Sequence, residues 1–309
     1  MSKKFVIGGG LSGLVYAALH PGYTVISALQ HKDMVAKHIS PVVLHYDEAI
    51  AGWLKDTYKL GAQLTYVQSE VKVRECQVEY NYGGVFRRSL PAALAWQYFM
   101  KSRQVSLAIG RDVALGDIKD NSFQFFDIDL KVLEVGLSAQ IGTHHMISDM
   151  VTAIHDNHIE TASGLSLEFE HLVSTIPAPV FWRLLRWPQL AKPSFVFVGK
   201  QYCHIKDCRI PSEQFPEWMT KDSDTKGYVY YPTFDSQPKH LLRISNLSSE
   251  VVAEFTGSQK IGGAYAEVPW AYFLSPGPLQ SPCASIEFVG RFAEWDENIL
   301  IHDVVKRYL

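Results

Sequence analysis

The sequence predicts an α/β fold in which a parallel, Rossmann-like domain is interleaved with a second domain built on a mixed sheet. Three observations support this prediction. Over residues 5–26, an apolar run leads into a glycine-rich turn, a helical segment and a second apolar run at 23–26, which is predicted to be a strand. An apolar strand at 172–176 and a Gly-Arg pair at 290–291, followed by an amphipathic helix, lie far along the chain. Strand patterns at 195–198, 227–231 and 241–245, in a region rich in aromatic residues, predict the mixed sheet.

Length and composition are those of an ordinary folded protein. The chain has 309 residues, of which 47% are hydrophobic and 20% charged, so it can bury a sizeable core. It contains no apolar run of the roughly 18 residues that a membrane-spanning helix needs, and its first residues lack the apolar stretch of a signal peptide. We therefore expect a cytoplasmic protein that does not associate with membranes. The net charge of −3 gives no general attraction to nucleic acid.

The N-terminal unit carries the strongest functional signal. A short apolar strand, the turn GGGLSG and a helical segment follow one another, and in this order G-x-G-x-x-G is typical of a dinucleotide-binding turn. Gly8 permits the turn, Gly10 lets the backbone approach a pyrophosphate, and Gly13 lets the helix pack against the strand. The helix N-terminus, at Leu11 and Ser12, offers free N–H groups to the phosphates. A glycine turn without a ligand is the alternative.

The second strand lacks the acidic residue that usually binds the adenosine ribose in such folds. In TVISALQ this position falls at Ser27, next to Ala28, and no acid follows before Asp33. A serine hydroxyl can bond a ribose hydroxyl, although less strongly than a carboxylate. We therefore expect cofactor contacts at Ser27 and Ala28, with weaker binding or a further anchor elsewhere.

Segments at both ends resemble FAD-dependent flavoproteins of the amine-oxidase and glutathione-reductase type. GGGLSGL is similar to their FAD-binding turn, and LVSTIPAP at 172–179 is similar to the strand that returns to the FAD domain, with a predicted hairpin before it. The segment FVGRFAEW, followed by DENI at 296–299, resembles their C-terminal flavin-contacting motif. The resemblance implies bound FAD. It implies cofactor contacts from Gly290, Arg291, Trp295, Asn298 and Ile299.

Two further segments resemble the UDP-galactopyranose mutase family. HISPVVLHY at 38–46 is similar to that family's Gly-Pro-His-x-Phe-His-Thr segment, and 78–91 is similar to its strand-turn-strand-Leu-Pro unit. Val42 replaces the family's first histidine and Ser40 its glycine, whereas the second histidine is retained as His45. The resemblance implies that Ser40 and Val42 border the flavin and that His45 is catalytic.

The predicted substrate residues lie in the region rich in Tyr, Trp and Pro before residue 285. Arg243, in HLLRIS, falls where the mutases carry an arginine near the reactive centre, which implies a catalytic role; a structural salt bridge is the alternative. The aromatic residues expected to contact substrate are Tyr231, Tyr265, Trp270 and Tyr272. Packing in the core is the alternative for these side chains.

The chain is too short for the helical domain that the mutases insert after the Leu-Pro helix. Residues 101–162 leave little room for it, so we expect a more open pocket that admits a bulky or polymeric substrate. The predicted FAD-binding domain comprises residues 1–35, 160–190 and 280–309. The predicted substrate domain comprises residues 36–159 and 191–279.

No metal site is predicted from the histidine and cysteine spacing. The pairs His144-His145 and His155 with His158 lack the spacing of catalytic zinc ligands, and we interpret them as surface histidines. The cysteines are scattered and predicted to be free thiols. They are Cys76, Cys203, Cys208 and Cys283.

These features favour an FAD-dependent oxidoreductase that oxidises a C–N bond of an amine or amino-acid-type substrate, a reaction that needs no strong acid–base pair in the protein. One such substrate is an amino-acid-modified nucleotide, such as glycyl-thymidine in viral DNA, from which glyoxylate would be released. A mutase-like sugar-nucleotide isomerase that uses reduced FAD is the alternative, and a flavin-binding protein without catalysis is a third hypothesis. The expected partner is a small molecule or modified nucleotide; binding to DNA is not favoured by the net charge.

Overall fold

The computed structural model describes residues 3–28, 44–45, 47–58, 64–75, 78–83, 123–126, 130–187, 193, 195, 197–207, 226–230, 240–245, 251–256, 264–273, 279–295, 299 and 301–309. The helices are α1 Leu11–Leu19, α2 Glu48–Tyr58, α3 Leu130–Ile141, α4 Ala178–Leu184, α5 Arg291–Glu294 and α6 Ile301–Tyr308. The strands are β1 Lys4–Ile7, β2 Thr24–Ser27, β3 Leu44–His45, β4 Leu64–Glu75, β5 Val78–Gly83, β6 Phe123–Phe126, β7 Met146–Ser148, β8 Val151–Ile154, β9 His158–Thr161, β10 Ser166–Glu168, β11 His171–Ser174, β12 Phe197–His204, β13 Lys226–Tyr230, β14 His240–Ser245, β15 Val252–Thr256, β16 Ala264–Phe273 and β17 Ile286–Phe288.

A five-stranded parallel sheet has the strand order β17-β11-β1-β2-β7. Strand β1 lies between β11 and β2, with Val6 opposite Val173 on one side and Val25 on the other. Strands β17 and β7 extend the sheet by parallel pairing with β11 and β2. The predicted α/β class is therefore confirmed, as is the prediction that the segment after residue 171 returns to this sheet.

Both faces of the parallel sheet are covered, as expected for parallel strands. Alternate residues of β1 point to opposite layers. Val6 belongs to a buried cluster that includes residues of α1, α3 and α6. Its neighbours Phe5 and Ile7 belong to a second cluster with Ile154 and Phe181, contributed by β8 and α4. The sheet thus lies between a helical layer and a layer formed by α4 and a small sheet.

The small sheet is three-stranded and has the order β10-β9-β8. Strands β9 and β10 pair antiparallel, with Ile159 opposite Leu167, which confirms the predicted hairpin before β11. Strands β8 and β9 also pair antiparallel and form a second hairpin.

A second, larger sheet is mixed, as the aromatic strand patterns predict. Its order is β16-β12-β15-β14-β13-β4-β6-β3, and β5 pairs with β4 outside this path. The pairing of β13 with β4 is parallel and the other pairings are antiparallel.

The parallel sheet takes one strand, β7, from within the range 36–159 that the sequence assigns to the second domain. The domain boundaries themselves stay a prediction. Residues 84–122 lie outside the described residues, so the predicted lack of a mutase helical domain also stays a prediction. Among the described helices, none is long and apolar enough to cross a membrane.

Candidate cofactor site

The turn between β1 and α1 is fixed to the strands on both sides of β1. The N–H of Gly8 donates to the carbonyl oxygen of Ile26, at the end of β2 (2.9 Å). The hydroxyl of Thr175, directly after β11, donates a shared hydrogen bond to the carbonyl oxygens of Ile7 and Gly8, each 3.1 Å away. Gly8 has φ +108°, a conformation that glycine adopts without strain. The turn is therefore rigidly placed at the carboxyl edge of the sheet.

Gly10 and Gly13 differ in what a side chain would meet. A Cβ on Gly13 would lie 2.0 Å from the carbonyl oxygen of Gly8, so the close packing of α1 on the turn requires glycine there. A Cβ on Gly10 would meet nothing within 4 Å, and its φ of −72° suits any residue. The protein's own packing therefore does not require glycine at position 10. A ligand that closely approaches the backbone would explain it.

The start of α1 is suited to an anion. Gly10 is the N-cap residue and is exposed, and the first turn of the helix carries no acidic side chain. The first N–H groups of a helix have no partner within it, and its N-terminus carries a partial positive charge. Leu11 and Ser12, both half-buried, follow the N-cap. The predicted phosphate-binding residues thus form one surface.

The C-terminal Gly-Arg segment lies directly beside this turn. Gly290 has φ +90°, and a Cβ on it would lie 2.7 Å from Oγ of Ser12. The N–H of Gly290 donates to Oε1 of Glu294 (2.8 Å), and Nη1 of Arg307 donates to the same oxygen (2.8 Å). The hydrogen bond to Glu294 is the main reason that the pKa of Arg307 is raised. These contacts join α5 and α6 to the start of α1.

Ser27 and Ala28 lie at the end of β2, next to the turn. Ser27 is opposite Ser148 of β7 and only 9% exposed, whereas Ala28 is exposed. This edge therefore offers a hydroxyl where a dinucleotide-binding fold ordinarily offers a carboxylate.

The other residues of the C-terminal motif are placed partly in the core. Arg291 begins α5 and is half-buried. Trp295 has φ 56°, is 2% exposed and packs edge-on against Phe195, with ring centroids 5.0 Å apart. Ile299 is buried in the cluster of the helical layer. Contacts of these three residues with a cofactor stay predictions.

The two predicted catalytic residues lie in the mixed sheet. His45 is in β3, opposite Phe125 of β6. Arg243 is in β14, in register with Tyr230 of β13 and Glu254 of β15. The sheet order places three strands between β14 and β3. Glu254 is buried, and both interpretations of Arg243 stay predictions.

The remaining predicted site residues lie in the mixed sheet or outside the described residues. Three aromatic residues lie in β16, which pairs with β12 at one end of the mixed sheet; they are Tyr265, Trp270 and Tyr272. Four others lie outside the described residues; they are Ser40, Val42, Tyr231 and Asn298. Their roles stay predictions.

Two residues outside the predicted site hold the turn and the Gly-Arg segment; they are Thr175 and Glu294. Thr175 lies within the segment 172–179 that the sequence predicts to return to the sheet, and it directly follows the observed β11. Glu294 stands four residues after Gly290, so a helical turn brings its carboxylate back to the Gly290 N–H.

These features define a Rossmann-type α/β fold with a glycine turn at the carboxyl edge of its parallel sheet, as the sequence motifs predict. No family model matches the sequence, and neither does any curated protein.

Solved structures match the fold over almost the whole chain. A reduced UDP-galactopyranose mutase is 11% identical with a TM-score of 0.58, covering 100% of this chain and 92% of that chain. A CLA-producing fatty acid isomerase from P. acnes is 10% identical with a TM-score of 0.60, covering 99% and 97%. A putrescine oxidase redesigned in its cofactor binding is 10% identical with a TM-score of 0.52, covering 99% and 98%. At these identities the similarity establishes a shared fold.

Proposed function

We propose that the chain binds FAD and acts as an FAD-dependent oxidoreductase. The observation that carries this proposal is the open space at Gly10, at a helix N-terminus on the carboxyl edge of a parallel sheet. Nucleotide cofactors bind at this edge in open α/β sheets, with the pyrophosphate at the helix N-terminus. The similarity to FAD-binding flavoprotein folds supports the same cofactor.

The residues at this edge fit the parts of FAD. The N–H groups of Leu11 and Ser12 would hold the pyrophosphate, and the turn that presents them is held by Thr175. Ser27 would supply a hydroxyl to the adenosine ribose. Arg291 follows Gly290 at the same edge and would contribute a positive charge. When bound, the flavin supplies a two-electron acceptor, which the protein's own side chains lack.

We propose a C–N bond of an amine or amino-acid-type compound as the site of oxidation. Shared fold with a putrescine oxidase supports this class, and so does the replacement of the mutase family's first histidine by Val42. An amino-acid-modified nucleotide such as glycyl-thymidine, with release of glyoxylate, is the particular substrate to test. It is supported by the predicted open pocket, which would admit a polymer.

A mutase-like isomerase that uses reduced FAD is the second candidate. It is favoured by the similarity to a reduced UDP-galactopyranose mutase and by the retained His45. The two candidates differ in whether the flavin undergoes net reduction by substrate.

An anaerobic visible spectrum of the purified protein separates the candidates. The oxidoreductase predicts the bands of oxidised flavin and their bleaching by an amine or a glycyl-nucleotide. The isomerase predicts that substrate leaves these bands unchanged and that UDP-galactopyranose is converted only after reduction with dithionite. A colourless protein that cannot be reconstituted with FAD would overturn both.

A further inference from the structure

We propose that the tip of the β8–β9 hairpin binds a divalent transition-metal cation, with Zn²⁺ as the ion to test. His155, His158 and Glu160 each place one ligand atom within 4.8 Å of the others. Nε2 of His155 lies 3.4 Å and Nε2 of His158 3.9 Å from the same Glu160 Oε1. Zinc bonds of about 2.0–2.1 Å put neighbouring tetrahedral ligand atoms roughly 3.4 Å apart, so the cluster is close to ligating size.

The hairpin brings the three side chains together. The N–H of His155 donates to the carbonyl oxygen of His158 (2.8 Å) and closes a two-residue turn. His158 and Glu160 are two residues apart in β9 and therefore share one face of the strand. The resulting set of two imidazoles and one carboxylate occurs in zinc sites that keep a fourth position for water.

A second observation concerns Nδ1 of His158, the ring nitrogen that does not face Glu160. Its Nδ1 lies 3.0 Å from Oδ1 of Asn157. An amide oxygen only accepts, so Nδ1 carries a proton and Nε2 faces Glu160 with either a lone pair or a second proton. Metal-bound histidines ordinarily donate their other ring N–H to an oxygen in this way. Nε2 of His155 is buried and, although it lies 3.4 Å from Oε1 of Glu160, it makes no hydrogen bond among the described residues.

The competing explanation is a protonated histidine paired with Glu160. The rings of His155 and His158 are stacked, with centroids 4.1 Å apart and planes 3° from parallel. Two positively charged rings at this separation would repel each other. An ion pair with Glu160 therefore accounts for only one of the two histidines. For metal binding the rings must tilt so that their lone pairs converge. Both side chains are 30% exposed at the tip of a hairpin, which leaves room for this movement.

The hairpin tip and the glycine turn lie at opposite ends of the parallel sheet. The carbonyl oxygen of Asn157 accepts from the N–H of Phe169, and Glu170 donates to Lys3, which directly precedes β1. The glycine turn follows the other end of β1. A metal at the hairpin would therefore stabilise the small sheet and take no part in cofactor chemistry, so this inference does not depend on the proposed function.

The test is isothermal titration of Zn²⁺ into the full-length protein after removal of metals with a chelator. We expect one saturable equivalent per chain. The variants His158→Ala, Glu160→Gln and Asn157→Ala should each weaken binding by roughly tenfold or more. His144→Ala is the matched control. The rings of His144 and His145 also lie close together, with centroids 4.3 Å apart, but they belong to no such ligand cluster among the described residues. The Zn²⁺ affinity of His144→Ala should therefore equal that of the wild type.

Circular dichroism of the metal-free variants checks that each one folds. Electron paramagnetic resonance of the Cu²⁺ complex should show nitrogen couplings that diminish in His158→Ala, which separates this site from cysteine ligation. Absence of a saturable equivalent, sulfur ligation in the wild type, or affinities unchanged in all three variants would overturn the proposal. The last result would leave the imidazolium–carboxylate pair as the explanation of the cluster.

Discussion

At the scale of single residues, the glycines of the N-terminal turn have separable roles. Gly10→Ala should leave folding unchanged, because its Cβ meets no protein atom within 4 Å. A methyl group in the path of the pyrophosphate should cost about 1–3 kcal/mol of FAD binding, which corresponds to roughly fivefold to 150-fold in affinity. The measurements are the flavin-to-protein ratio after FAD titration and the thermal melting temperature without FAD.

Gly13→Ala is the contrasting variant. Its Cβ would overlap the backbone oxygen of Gly8, which no side-chain rotation can relieve. We expect a loss of roughly 1–3 kcal/mol in the free energy of unfolding, with flavin lost as a consequence. Full flavin content in Gly10→Ala would contradict the assignment of this turn as the pyrophosphate site.

The sequence predicts these glycines because their spacing reflects local geometry. It does not display Thr175 as a partner of Gly8, or Glu294 as a shared partner of Gly290 and Arg307, because those contacts depend on segments brought together only by folding.

At the scale of secondary-structure elements, Asp47 both caps α2 and holds α6. Its Oδ1 accepts from the N–H of Ala49 (3.0 Å), and its Oδ2 accepts from Nζ of Lys306 (2.6 Å). The hydrogen bond from Lys306 is the main reason that the pKa of Asp47 is lowered. A carboxylate with a lowered pKa contributes its full stability above its unfolded value, about 4, and loses it as the pH falls through the folded value.

Asp47→Asn keeps a capping side chain but removes the ion pair. We expect it to be less stable than the wild type at neutral pH, with a difference that shrinks as the pH falls below about 4. Urea unfolding over this range measures the effect. Lys306→Met should show the same pH dependence, whereas Asp47→Ala should lose about 0.5–2 kcal/mol more through the cap. A difference that is constant with pH would contradict this account.

Element boundaries follow the sequence closely where local pattern decides them. The predicted helix at the end of the chain is α6, and the predicted strand at 23–26 is β2, shifted by one residue. The strand predicted at 195–198 instead runs over Phe197–His204, because β12 pairs with β15 on one side and β16 on the other. Partners far along the chain are not visible in a local pattern.

At the scale of the whole molecule, a tyrosine cluster joins both ends of the chain to the parallel sheet. The carboxylate of Glu287 in β17 accepts from the hydroxyl of Tyr16 in α1 (3.0 Å) and from that of Tyr308 in α6 (2.5 Å). Burial is the main reason that the pKa values of both tyrosines are raised, and the negative charge of Glu287 adds to it.

Tyrosines with raised pKa values contribute stability that is complete below about pH 10 and is lost as the pH rises. Tyr308→Phe should lose about 1–3 kcal/mol at neutral pH, because a donor to a charged oxygen is removed. As the pH rises above about 10, the free energy of unfolding of Tyr308→Phe should fall less than that of the wild type. Urea unfolding from neutral pH to about pH 11 tests both expectations. If the free energy of unfolding falls equally with rising pH in the two proteins, the tyrosine cluster does not control stability at alkaline pH.

The parallel sheet is predictable because a strand, a glycine turn and a helix appear in order within thirty residues. The strand order of the mixed sheet is not, since neighbours such as β13 and β4 lie far apart in the sequence. The contact of Gly290 with Ser12, on which the candidate site depends, is likewise not predictable, because the two residues lie far apart in the sequence.

That contact has a consequence for protein synthesis. Ser12 leaves the ribosome 278 positions before Gly290. At roughly 5–20 residues per second, the nascent glycine turn would wait on the order of 15–55 seconds for the segment that completes its surroundings. Chains stalled before Gly290 are therefore expected to emerge without retained FAD, and the cofactor would join only once translation has passed the final strand.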